Sequence, residues 1–235
     1  MHKIETHLHT SDISKCGRLG AAELAKGYHE AGYHAIAVTD HYNRTTFDRL
    51  GVDLQSGGDI AERFLEGYRK VAAECRKYGI IVYQGAEVRF DECENDYLIY
   101  GFRKEFLNDP EKIFRMGISN FASFARKEGV LVIQAHPYRR KCTPAIACYL
   151  DGMEVCNGTP RYENYNERAE EYARTYGLIR TAGSDCHQTV DIGASGLLSE
   201  ELPGDPFSFA NLLRSRRYQL MCDVENEENE KHKEQ

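Results

Sequence analysis

The sequence predicts an α/β chain whose parallel strands close into a barrel. Short β-rich runs alternate with amphipathic helical stretches from one end to the other, which is the pattern of repeated βαβ units. Several of the runs, such as AIAVT and VLVIQA, are almost wholly apolar rather than alternately polar, as strands covered on both faces are. Residues of metal-ligand type recur where those runs end.

Residues 3–9 (KIETHLH) read as the first strand. Residues 21–31 read as a helix that Gly32 stops. The second strand is 35–39 (AIAVT). One helix is expected over 59–78, because Ile60, Phe64, Tyr68, Val71, Cys75 and Tyr78 recur every three or four residues before Gly79. Strands three and four are 80–87 and 97–102. A helix over 119–128 carries Phe121, Phe124 and Ala125 on one face. The fifth strand is 130–135 (VLVIQA) and the sixth 152–155. A helix over 163–176 presents Ala169, Tyr172, Ala173 and Tyr176. The seventh strand is 178–182, and the last helix 207–213. Stretches 45–58 and 141–149 read as loops. No linker divides the chain, so residues 1–222 form one domain. Residues 223–235, rich in Glu, Asn and Lys, are expected to be a disordered tail.

Composition narrows the function. Of 235 residues, 41% are hydrophobic and 29% charged, which excludes membrane, collagen-like and disordered classes. Thirty basic against 37 acidic residues give a net charge of −7, which disfavours duplex nucleic acid as a partner and leaves small anions open. Glu5, His7 and His9 interrupt the place where a secretion signal needs its apolar core. The eight cysteines form no CxxC pair. They are therefore expected as reduced thiols of a cytoplasmic protein. Oligomeric state is left open.

The ends of the strands carry the chemistry. His7 and His9 end the first, Asp40 and His41 follow the second, and Glu87 ends the third. His136 follows the fifth, while Asp185 and His187 follow the seventh. Side chains at i and i+2 of a strand share a side, so His7 and His9 aim at one point with Leu8 turned away. In a parallel barrel the carboxyl ends of the strands meet on one rim, where active sites lie. Five of the nine histidines thus converge with carboxylates. That donor set suits zinc, manganese or iron better than magnesium or calcium. Glu154 and Asn157, after the sixth strand, are expected to shape the pocket or to serve structure alone.

The segments HLHTSD, AVTDH, GAEV, AHP, MEVCNG and AGSDCH occur in this order. Together they resemble the PHP family, the polymerase and histidinol phosphatase domains, over residues 3 to about 220. The resemblance implies a distorted seven-stranded (β/α) barrel, TIM-like, with two or three divalent metal ions and phosphoester hydrolysis. It implies His7, His9 and Asp185 around one metal, Glu87 bridging to a second that His136 also binds, and His41 and His187 on a third. Asp40 would support His41. A water held among Glu87, His7, His9 and Asp185 would attack phosphorus. The family pattern puts His or Asp seven or eight residues after the first ligand, where this chain has Ser14 and Lys15; Asp12 and Cys16 are the nearby substitutes. It also puts a His near the place of Asp96. Arg139 and Arg140, beside His136, and Arg18 are the expected phosphate contacts, and the expected substrate is a small phosphomonoester.

Three alternatives compete. One is a nucleotide or oligonucleotide phosphoesterase. Another is a metal-dependent amidohydrolase, disfavoured because Glu87 stands where such enzymes often use a strand-end Lys. The third is a binding module that has lost catalysis.

Overall fold

The structure is a computed structural model, and it describes residues 1–54 and 59–222. Its strands are β1 (His2–Leu8), β2 (Ala35–Val38), β3 (His41–Tyr42), β4 (Ile81–Arg89), β5 (Asp96–Tyr100), β6 (Leu131–Gln134), β7 (Gly152–Asn157), β8 (Ile179–Gly183), β9 (Leu197–Ser199) and β10 (Gln219–Leu220). The helices are α1 (Ala21–Glu30), α2 (Arg44–Leu50), α3 (Ile60–Phe64), α4 (Glu66–Cys75), α5 (Pro110–Lys127), α6 (Asn166–Tyr176) and α7 (Pro206–Ser215).

All ten strands join one sheet, in the order β10-β9-β1-β2-β4-β5-β6-β7-β8, with β3 on β4. The sheet curls until its β8 end meets β1. There Leu8 bridges Cys186 in parallel, the His9 amide donates to the Cys186 carbonyl at 2.9 Å, and Thr6 Oγ1 donates to the Ala182 carbonyl at 2.8 Å. The result is a nearly closed, distorted barrel with helices outside. The closing seam runs through the His7–His9 strand.

The expectation of seven parallel strands is corrected at β5, which runs antiparallel to both β4 and β6. Only residues 90–95 separate β4 from β5. That is too short for the crossover that parallel strands need, so the chain turns back as a hairpin. The short strands β3, β9 and β10 carry no periodic signal and were not expected. The helix expected over 59–78 breaks at Leu65 (ψ 5°) into α3 and α4. The helix expected from 119 starts instead at Pro110. Asp109 caps it by accepting from the Lys112 amide, and Gly117 (φ 63°) kinks it where Glu92 receives the Ile118 amide. Stretch 45–58 contains α2, and its residues 55–58, like the tail 223–235, lie outside the described residues.

The cysteines also depart from expectation. Cys156 on β7 and Cys222 are joined as a disulfide with their Cα atoms 6.5 Å apart, whereas the other six are free. The two lie 66 residues apart, a pairing that no local spacing reveals. No helix among the described residues is long and apolar enough to cross a membrane.

Candidate metal centre

β1 ends on the rim with Leu8 packed outward against Val38, Tyr28 and Cys186, and with His7 and His9 fully buried on the other side. Their Nε2 atoms face each other at 3.1 Å. Asp185 Oδ1 lies 3.2 Å from His9 Nε2 and 3.4 Å from His7 Nε2. Glu87, on β4 and fully buried, touches four imidazoles. Its Oε1 is 3.1 Å from His136 Nε2 and 3.4 Å from His7 Nε2; its Oε2 is 3.4 Å from His9 Nε2 and 2.6 Å from His41 Nδ1. His136 and Asp185 both hold positive φ (27° and 50°), backbone strain of the kind found where a site requires a side chain in one place.

The electrostatics follow from burial among unlike charges. Burial alone would raise the Asp185 carboxyl, but His7, the His9 contact and Arg139 hold it well below the ordinary range. Burial likewise opposes ionisation of Glu87, and His41 and His7 overcome it. Burial together with the charges of His187 and His41 pushes His9 well below its ordinary value. A neutral His9 keeps one N–H and has one nitrogen lone pair to offer a cation.

A second circle of side chains fixes the first. Glu154 Oε1 is 2.9 Å from His7 Nδ1, and Oε2 accepts from the His136 amide at 3.0 Å and from Asn157 Nδ2 at 2.8 Å. Asp40 accepts from the Thr10 amide, Thr10 Oγ1 and Ser14 Oγ at 2.7–2.8 Å. Burial raises the Asp40 carboxyl to about 6 against those three bonds. Ser14 in turn receives the His41 amide at 3.0 Å. Gly67 at the start of α4 lets that helix approach: a Cβ there would stand 2.5 Å from Thr10 Oγ1 and 2.8 Å from Asp40 Oδ2.

The structure brings together His7, His9, His41, Glu87, His136, Asp185 and His187. Cys16 joins them, its Sγ 3.0 Å from His187 Nε2 and 3.2 Å from His41 Nε2. Burial would raise this thiol, but hydrogen bonds and charge from the two histidines bring it down to about 6. Asp96 reaches the edge of the cluster, 3.9 Å from His136 Nε2. Its carboxylate, however, is gripped at both oxygens by Arg89.

Two expected residues lie elsewhere. Asp12 turns away to Lys70 Nζ at 2.6 Å. Arg18 is exposed and its side chain does not line the cavity, because the loop presents its backbone instead, the amide donating to the His187 carbonyl at 2.8 Å.

Above the cluster opens a cavity of about 230 Å³, lined by Arg89, Arg139, Arg140, Lys141 and Arg161 along with His41, His136 and His187. Arg139 is held by Asp185 Oδ2 at 2.7 Å and by Asn164 and Asn157. Arg161 and Asp191 escaped the sequence reading. Arg161 pairs with the buried Asp191, which also accepts the His187 amide at 2.9 Å. They follow β7 and β8 on the same rim, the one signal that could have found them.

Two buried atoms here, His41 Nδ1 and Glu87 Oε2, face each other at 2.6 Å with no aligned hydrogen bond, and Asp185 Oδ2 meets the Arg139 guanidinium as an ion pair alone. Imidazole nitrogens and carboxylate oxygens that face one another closely with no aligned hydrogen bond are what a divalent cation satisfies. The residues present therefore fit a metal cluster.

Comparison with solved structures finds the same fold at low identity. A two-domain protein from Bacteroides vulgatus, described as containing a predicted PHP-like metal-dependent phosphoesterase, superposes with a TM-score of 0.64 at 17% identity. The match covers 93% of this chain, which spans 64% of the length of that protein. PsfC from Pseudomonas syringae matches with a TM-score of 0.60 at 15% identity, covering 94% of this chain and 92% of its own. An amidohydrolase from Chromobacterium violaceum, with bound sulfate and no metal, gives 0.55 at 16% identity and coverage of 92% and 97%. No curated protein matches the sequence. The PHP domain model matches residues 5–187, a span that starts at the buried Glu5 beneath His7 and ends at His187. On that match this chain belongs to the PHP domain family.

Proposed function

We propose that the chain is a metal-dependent phosphoesterase acting on small phosphomonoesters. The observation that carries this reading is one arrangement: a floor of seven convergent imidazoles and carboxylates beneath a guanidinium-lined cavity. His7, His9, Asp185 and Glu87 would hold one divalent cation, and Glu87 and His136 a second beside it. Zinc, manganese and iron all suit these donors. When bound, such cations acidify water and offset the charge of a phosphoryl group.

The chain's own residues do the rest. Asp185 and Glu87 stay ionised at neutral pH and so keep acceptor-only oxygens on the floor. Glu154 fixes the ring of His7, and Asp191 fixes the backbone of His187. Arg139 stands over Asp185, between floor and rim. Arg140 and Lys141 are exposed at the mouth, where they attract a dianion and orient its oxygens. The volume admits a phosphoryl group with a modest alcohol and favours a small ester over a polymer. The cationic rim favours phosphate esters over the neutral amides or lactones of an amidohydrolase.

Purified protein, stripped of metal and reloaded with zinc, manganese or iron, is expected to hydrolyse a subset of a phosphomonoester panel. Asp185→Asn should abolish that hydrolysis and lower bound metal while the fold, followed by circular dichroism, persists. Turnover of amides or lactones with none of phosphate esters would overturn the reading.

A further inference from the structure

We infer that Cys16 supplies a thiolate ligand to the third metal position that the family resemblance implies on His41 and His187, and that this suits the position to zinc rather than to manganese or magnesium. The inference rests on the metal reading above and deepens it by naming this chain's own ligand at that position. The Cys16 sulfur is 3.0 Å from His187 Nε2 and 3.2 Å from His41 Nε2. A thiol has one proton and cannot donate to both.

The far side of the His187 ring shows which of its nitrogens is free. His187 Nδ1 is 2.7 Å from the Asp185 carbonyl oxygen. That oxygen only accepts, so Nδ1 carries a proton, and the neutral ring that a cation binds presents its Nε2 lone pair on the sulfur side. The longer contact of Arg161 Nη2 with Nδ1, 3.2 Å, is then a neighbour rather than a donor, and the same Nη2 reaches the Asp185 carbonyl at 3.3 Å. His41 Nδ1 lies on the Glu87 side, 2.6 Å from Oε2, and leaves Nε2 facing sulfur. His187, with an oxygen acceptor on one nitrogen and the other turned to the site, has the usual setting of a metal-bound histidine.

The sulfur is also held in place. The loop that carries it is clamped on both sides, with Gly17 N donating to Ser14 O at 3.1 Å, Arg18 N to His187 O at 2.8 Å and Ser11 N to Leu19 O at 3.0 Å. Gly17 packs so closely that a Cβ would stand 2.5 Å from the Thr10 carbonyl oxygen. Thiolate and imidazole together select zinc or another soft ion, whereas manganese and magnesium prefer oxygen. Binding releases the thiol proton to solvent.

The test uses the full chain, stripped of metal under anaerobic conditions and titrated with cobalt(II) alone. The expected result is a sulfur-to-cobalt charge-transfer band in the near ultraviolet, lost in Cys16→Ser while the visible bands of cobalt on nitrogen and oxygen ligands remain. Visible bands with no charge-transfer band in the native chain would overturn the thiolate site and leave the metal reading standing. Failure to bind cobalt at all would overturn both. Should Cys16→Ser not fold, alkylation of the native chain by iodoacetamide decides. Zinc is expected to prevent modification of Cys16 and to leave the exposed Cys93 and Cys148 reactive. Equal labelling of Cys16 with and without zinc would overturn the site.

Discussion

Glu154 sits buried within β7 and divides its two oxygens between His7 on β1 and the backbone of His136 just after β6. One carboxylate therefore orients rings from both halves of the cluster. Glu154→Gln keeps the shape and one acceptor but turns an amide donor toward one of these N–H groups. Metal affinity is expected to fall by roughly 10–100-fold, the usual cost of losing such a support. Titration with zinc monitored by a competing chelator measures it, and unchanged affinity would remove Glu154 from the site. Arginines on the rim separate in the same way. Arg139 is tied to Asp185, so Arg139→Ala should lower kcat and raise KM together. Arg140 has no ion pair among the described residues, and Arg140→Ala should raise KM alone. Equal effects of the two substitutions on kcat would show that Asp185 does not depend on Arg139.

At the scale of elements, β1, β2, β4, β5, β6, β7 and β8 were all legible as strands, and β1, β2, β4, β6 and β8 lead into the ligands. Their carboxyl ends placed His7, His9, His41, Glu87, His136, Asp185 and His187 on one rim from residue pattern alone. What stayed hidden depends on distance in the chain rather than on pattern. The direction of β5 follows from a short connection, the Cys156–Cys222 pair from two segments meeting, and the opposite fates of Cys16 and Asp12 from a tight loop that turns one inward and the other to Lys70.

Glycines mark where elements press on the site. Gly183 ends β8, and a Cβ there would meet His7 Cβ at 2.6 Å, Thr6 Oγ1 at 2.7 Å and Glu154 Oε1 at 3.0 Å. Gly183→Ala is expected to cost about 1–3 kcal/mol by overpacking and to weaken metal binding with it. Gly177, the left-handed cap of α6 at φ 65°, has open space around it. Gly177→Ala should cost about 1–2 kcal/mol from backbone strain alone and leave metal affinity intact. Denaturant melts and metal titrations on the two variants make the comparison; a Gly183→Ala protein with native metal affinity would argue against a rigid β8–β1 seam.

The whole molecule closes where it does its chemistry. Glu5, buried below His7, accepts the Thr6, His7 and Ser184 amides at 2.9–3.0 Å and the Tyr28 hydroxyl at 2.9 Å, and so ties β1 to the segment after β8. Above that tie the seam consists of His7, His9 and Asp185, whose buried nitrogens and oxygen crowd within 3.1–3.4 Å of one another. A cation bound there belongs to the folded state only, since the unfolded chain has no preformed site, and its binding energy adds to stability. Free metal at 100 times its dissociation constant stabilises by about 2.7 kcal/mol. For a domain of this size each kcal/mol moves the melting temperature by about 2–4 °C, so chelation should lower it by roughly 5–11 °C. The loss should grow with the metal concentration removed, and Asp185→Asn should remove most of the dependence by deleting a seam ligand. Differential scanning fluorimetry across a metal series reads both effects. A melting temperature indifferent to chelator in the native chain would mean that the barrel closes without the cation, and that the convergent side chains at its seam are held by protein contacts alone.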